Sequence, residues 1–309
     1  MNEEDRLRAG WRLLFQFLLN NAGISLLGFV VLAAAGLPGA AGRPPPYLLY
    51  AGAALVAAAS VWFCGRSLDG RPFSGFGLRL DRAWWSDFGF GLLLGAALMT
   101  GVFLLQLAAG WVTVTGSLVT TGGGAFLPAI LAPVALFFCV GFYEELVSRG
   151  YQLTNLAEGF NGVGVGPRGA VVLAWVLSSS FFAFLHLSNP NASTLSTLNI
   201  FLAGMMLGTG YVLTGQLAIP IGLHVTWNLF QGNVFGLPVS GLDIPGATFL
   251  ATRQTGPTLL TGGPFGPEAG LIAPVAMAVG VGLIALRVRR RTGKLGIHLP
   301  LAESPSMHP

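Results

Sequence analysis

Charge is what this chain has least of. Only 9% of its 309 residues are Asp, Glu, Lys or Arg, against about 25% in ordinary soluble domains. So little charge cannot cover the surface of a water-soluble protein, whereas lipid-facing helix positions prefer apolar side chains. Cysteine is scarcer still. Cys64 and Cys139 lie apart, in or beside apolar segments, which excludes a disulfide framework and a cysteine metal site. There is no G-x-S-x-G, no H-E-x-x-H, no Walker loop and no dinucleotide fingerprint. Solenoid-type repeats are absent, and no segment is long and polar enough to form a soluble domain.

What the chain does have is apolar runs, with 53% hydrophobic residues and a mean hydropathy of +0.70. A spanning helix needs about 20 mostly apolar residues. Eight runs qualify or nearly so: Trp11–Leu37, Tyr47–Cys64, Phe88–Gly110, Phe126–Glu145, Gly169–Leu187, Thr197–Thr214, Leu217–Phe235 and Leu271–Leu286. The expected fold class is therefore all-α, a polytopic membrane bundle of about eight transmembrane helices. The first run has no small-residue cleavage site behind a short apolar region, so it reads as a retained helix. Gly204 and Gly208 form a GxxxG on the sixth run, suited to close helix approach.

The net charge of +4 and pI of about 9.5 raise nucleic acid or anionic lipid as partners. Position decides between them, because Lys and Arg sit between apolar runs and no nucleic-acid motif accompanies them. With the N-terminus inside, Arg6, Arg8, Arg12, Arg66, Arg71, Arg79, Arg82, Arg168, Arg287, Arg289, Arg290, Arg291 and Lys294 fall inside, and only Arg43 and Arg253 outside. The asymmetry predicts that both termini are cytoplasmic. Trp84, Trp85 and Trp111 lie near predicted interfaces, and Asp87 reads as a cap at one. Residues 65–89 are expected as an amphipathic inner-surface piece and 236–270 as an irregular outer loop.

Ionisable groups at membrane depth cost at least ~2.5–3.5 kcal/mol each, which makes them functional suspects. Few occur here: Glu144, Glu145 and Arg149 on the fourth run, His186 on the fifth, and His224 with Asn228 on the seventh. Histidines His298 and His308 belong to the polar tail. Glu145 and Arg149 are four apart and can pair on a helix, leaving Glu144 about 100° away without that cation. A low-dielectric setting would make Glu144 a better base near neutral pH. Phe182 shares a face with His186, and His224 with Asn228. Each element alone reads equally well as a helix end or an interhelical hydrogen bond. Together they supply a base, two imidazoles and an amide, enough to activate water and stabilise an oxyanion. Ser178, Ser179 and Ser180 read as packing residues.

Glu144-Glu145-x-x-x-Arg149, Phe182-x-x-x-His186 and His224-x-x-x-Asn228 resemble, in order, the three motifs of the CAAX-protease and bacteriocin-processing (CPBP) intramembrane proteases, the family of the type II CAAX prenyl endopeptidases. The resemblance extends over about Phe126 to Phe235. It implies an intramembrane cavity in the bundle and an endopeptidase acting on a lipidated (CAAX-like) or membrane-embedded polypeptide. Carried over, Glu144 and His186 activate water, His224 and Asn228 hold the oxyanion, and Glu145, Arg149 and Phe182 support them. The cofactor stays open between none and a divalent metal such as zinc, for which Glu144, His186 and His224 would be the ligands. The metal-free form is favoured, since Glu144 as a ligand leaves only the paired Glu145 as base.

That site requires the fourth helix to run on past Arg149 toward Glu158 and the fifth to start in the headgroup layer, so that Glu144 and His186 meet. The chain divides into residues 1–125 (N-terminal helices), 126–235 (catalytic core) and 236–309 (outer loop, last helix and basic tail). Expected partners are membrane lipids and a peptide substrate, with no nucleic acid. The rival reading is a non-proteolytic scaffold or bacteriocin-immunity protein, and behind it a transporter, for which internal repeats are missing.

Overall fold

The computed structural model describes residues 6–36, 46–161 and 164–305, so Arg43 and His308 lie outside the described residues. Long helices dominate, because a chain this apolar satisfies its backbone polar groups within each segment. In chain order they are α1 (Ala9–Ala35), α2 (Pro46–Cys64), α3 (Arg82–Ala108), α4 (Phe126–Glu145), α5 (Thr154–Asn161), α6 (Gly166–Leu185), α7 (Thr194–Thr214), α8 (Ala218–Leu229), the single turn α9 (Thr258–Thr261) and α10 (Ile272–Thr292). Among the described residues seven helices are long and apolar enough to cross a membrane. This is a multi-pass membrane protein.

The seventh expected span, Leu217–Phe235, is shorter. Helix α8 has 12 residues followed by a π-helical turn, Phe230–Val234, and all of Ala218–Asn228 is buried. It packs against α3, α4 and α7, so no lipid thickness sets its length. Glycines make that burial possible. A Cβ on Gly91 of α3 would stand 2.5 Å from the Ile219 carbonyl oxygen, and one on Gly141 of α4 would stand 2.7 Å from Val225 Cγ2. Gly204 and Gly208 do lie at a helix contact, against Ser179 and Trp175 of α6. Helix α7 is bounded by a capping box at Ser193 and Ser196 and by Gly215 at φ 65°, a left-handed stop that glycine adopts freely.

Two expectations are corrected. Residues 65–89 are not one surface piece, because α3 starts at Arg82, capped by Asp81, which accepts from the Trp84 backbone N–H at 2.8 Å. Asp87 is therefore no cap. It is buried and paired with Arg287 (3.2 Å) and Arg291 of α10, tying α3 to the last helix. Residues 236–270 are not wholly irregular. Strand β2 (Ala247–Gln254) pairs antiparallel with β1 (Val112–Thr120), from Val112 opposite Gln254 to Thr120 opposite Ala247.

The connections sort to two ends. Arg6 and Arg12 meet Glu158 at 2.8 and 2.7 Å, Arg71 donates to the Glu303 carbonyl, and Asn161 to the Ala302 carbonyl, so the basic-rich connections share one end. Strands β1 and β2 mark the other, together with the Asn189 and Ser240 loops, which are joined at 2.9 Å. Several of the arginines that served as topology signals are thus buried in ion pairs.

Candidate active site

Helix α4 carries the first part of the site. It passes without interruption into π-helix at Leu146–Leu153 and then into α5, so the helical segment runs from Phe126 to Asn161, past Arg149 as required. π-Turns inside helices are frequent at functional sites, and this one begins directly after Glu145. Arg149 Nη1 donates to Glu145 Oε1 at 2.9 Å, and both side chains are fully buried. Arg149 Nη2 donates to the Gly204 carbonyl at 3.1 Å, and its guanidinium lies 4.5 Å from the Phe182 ring centroid. A buried charge needs such partners.

Helix α8 brings the second part. His224 Nδ1 lies 2.8 Å from Glu145 Oε1, and its Nε2 lies 3.8 Å from Glu144 Oε2. The Glu145 carboxylate thus serves both Arg149 and His224, a dual role the spacing argument did not reveal. A carboxylate only accepts, so His224 Nδ1 carries hydrogen and Nε2 faces Glu144. Glu144 keeps 21% of its side chain exposed and accepts from the Tyr143 hydroxyl at 3.3 Å. Asn228, one turn from His224, is buried at the cavity wall.

Helix α6 brings the third part, starting at Gly166, three residues before the apolar run Gly169–Leu187. It ends at Leu185, and His186 is its C-terminal cap rather than an interior residue. His186 Nδ1 meets the Phe182 carbonyl at 2.8 Å, which fixes the ring and leaves Nε2 as the lone-pair nitrogen. The Phe182 ring stands 4.6 Å from the His186 ring and 6.3 Å from that of His224, and so spaces the two imidazoles.

These residues meet at one cavity of about 400 Å³, lined by Glu144, Phe182, His186, His224 and Asn228, with Glu145 and Arg149 behind His224. The cavity also exposes groups that sequence reasoning passed over. Gln16 and Asn20 of α1, and Ser148 and Gln152 beyond Glu144, are polar side chains within apolar stretches. Glu268 reaches the cavity from the loop before α10, where its carboxylate accepts from the Ser240 backbone N–H (2.7 Å) and hydroxyl (2.9 Å). Burial raises its pKa, partly offset by the bonds from Ser240. The residues before α10 gave no sequence signal that this glutamate turns inward.

Among the described residues no three His, Cys, Asp or Glu side chains are grouped as a metal-holding set. Glu144, His186 and His224 line the same cavity without being drawn together as such a set, and His224 Nδ1 is engaged by Glu145.

Residues 125–230 match the family model of the type II CAAX prenyl endopeptidase Rce1-like proteins. The match covers about a third of the chain, from the start of α4 to the end of α8, and agrees with the resemblance read from the three motifs. It supports a membrane protease of that general kind. No curated protein and no solved structure matches the chain.

Proposed function

We propose that the chain is an intramembrane endopeptidase that cleaves a lipidated, CAAX-like or otherwise membrane-embedded polypeptide with water activated by its own side chains. The observation that carries this reading is the convergence of Glu144, His186, His224 and Asn228, from three separate helices, on one cavity within the bundle of apolar helices. Placing so many polar groups there is costly, and a purely structural role would not need them to face an open space. The family match over the same helices adds to it.

In the proposed reaction Glu144 takes a proton from water as the water oxygen attacks the peptide carbonyl carbon. His186, fixed through Nδ1, accepts a hydrogen bond from that water at Nε2 and orients it. The carbonyl oxygen becomes an oxyanion and is met by the Asn228 amide and by His224. For His224 to donate through Nε2 it must carry both ring protons, and the carboxylates of Glu144 and Glu145 beside it offset that charge. Arg149 neutralises Glu145 and keeps it in place. Collapse of the tetrahedral intermediate breaks the C–N bond as Glu144 returns its proton to the leaving nitrogen, giving a carboxylate and an amine. No step is routed through a metal.

The protein is proposed to lie in the cell membrane with both termini cytoplasmic, because the basic-rich connections share one end of the bundle. Its partners are then membrane lipids and the polypeptide substrate. Incubating the purified protein with a lipidated peptide and identifying the broken bond by mass spectrometry tests the reading. Fragments that carry one new carboxylate and one new amine are expected.

A further inference from the structure

Part of the cavity wall takes no part in this chemistry, and it carries uncharged polar side chains among apolar ones. Ser148 and Gln152 follow Glu144 at four-residue steps, and they are only 5% and 9% exposed. Gln16 and Asn20 of α1, again four apart, line the same cavity. The Arg12–Glu158 ion pair joins α1 to α5 at the near end of this space. Among the described residues the side chains of Ser148 and Gln152 make no hydrogen bond, and Asn20 Oδ1 is buried without a partner. Gln16 gives its Nε2 to Ser60 Oγ at 3.1 Å.

Buried polar groups normally find partners, so partners are expected here when the cavity is filled. The chemistry of the wall narrows what they are. Ser148, Gln152, Gln16 and Asn20 are all neutral, which disfavours a phosphate, carboxylate or ammonium ligand. Asn and Gln each present a donor and an acceptor, the complement of a peptide N–H and C=O. Spacing agrees as well. Gln16 and Asn20, four apart on the α-helix α1, are separated by about 6 Å along its axis, and like-facing main-chain groups of an extended strand recur about every 6.6 Å. A polypeptide drawn into this cavity loses water from its backbone amides and needs replacements.

We propose that Asn20, Ser148 and Gln152 form a main-chain subsite that holds the substrate in extended form on the Arg12–Glu158 side of the bond to be broken. The subsite reads the backbone rather than side chains, and α1 serves as its outer wall. The inference rests on the endopeptidase reading for its occupant, a polypeptide.

Binding of a fluorescent lipidated nonapeptide to the Glu144→Gln protein in detergent, followed by anisotropy, tests the subsite without requiring turnover. Adding Gln152→Leu or Asn20→Leu is expected to raise Kd about tenfold, the worth of one hydrogen bond to a neutral group. Peptides with single amides replaced by esters supply the second readout. An ester at the contacted position should weaken binding to Glu144→Gln but not further weaken binding to Glu144→Gln/Gln152→Leu. Melting temperatures control for folding, and Ser148→Ala offers a milder change. Unchanged Kd in both Leu variants, or the same ester penalty with and without Gln152, overturns the subsite. If wild type cleaves the peptide while the Leu variants bind it normally, the subsite fails and the protease reading stands. If the variants lose binding as described while wild type cleaves nothing, the reverse holds.

Discussion

His224 Nδ1 lies 2.8 Å from the same Glu145 oxygen that Arg149 Nη1 meets at 2.9 Å. One buried carboxylate thereby links the helix that supplies the base with the helix that supplies an imidazole and an amide. Glu145 is then a positioning residue for His224 as well as the counter-ion of Arg149.

Removing Glu145 alone leaves Arg149 buried without its partner, a change that costs ~3–5 kcal/mol. Glu145→Ala and Arg149→Ala should each lower the melting temperature markedly. The double variant should be less destabilised than the sum of the two, because no uncompensated charge remains. Thermal unfolding in detergent checks this cycle.

Glu145→Gln retains the shape of the side chain but weakens its hold on His224. Loss of such an orienting partner typically costs about 10–100-fold in activity. Steady-state kinetics should show the loss in kcat, with KM within a few-fold of wild type.

Asn228→Ala removes a donor aimed at the cavity from α8. A single oxyanion donor is worth about 10²–10³ in kcat, and a loss of that size is expected with little change in melting temperature. If Asn228 only joined helices, stability would fall and residual activity per folded molecule would not.

Glu268 gives a prediction in pH. Burial raises its folded-state pKa above the ordinary carboxylate value, so the native state holds this proton more tightly than the unfolded chain does. Its ionisation therefore opposes folding: stability falls as pH rises from the ordinary carboxylate pKa of about 4.3 through the raised value. Melting temperature against pH should flatten over that window in Glu268→Gln relative to wild type.

Much of the site was legible because ionisable residues at membrane depth are rare and expensive. Glu144, Glu145, Arg149, His186 and His224 stood out for that reason alone, and four-residue spacing separated Glu145 from Glu144. Asn228 stood out beside His224 as a second polar residue on one helix face. What stayed hidden depends on contacts distant in sequence. Asp87 looked like a cap because its partners, Arg287 and Arg291, lie 200 and 204 residues further on. The π-helix after Glu145 is a matter of hydrogen-bond register, and no side chain announces it. The β1–β2 pairing joins two connections that are each rich in turn residues. Gln16 and Asn20 are two amides in an otherwise apolar stretch of α1, and only the cavity beside them gives them meaning.

The central claim is that Glu144 activates water for peptide hydrolysis. The most direct measurement is the cleavage rate of a quenched, lipidated CAAX-type peptide by purified protein in detergent, wild type against Glu144→Gln at matched folded concentration. Wild type should cleave, and the variant should be slower by about 10²–10⁴, the usual worth of a positioned general base. Equal rates for the two proteins would contradict the claim.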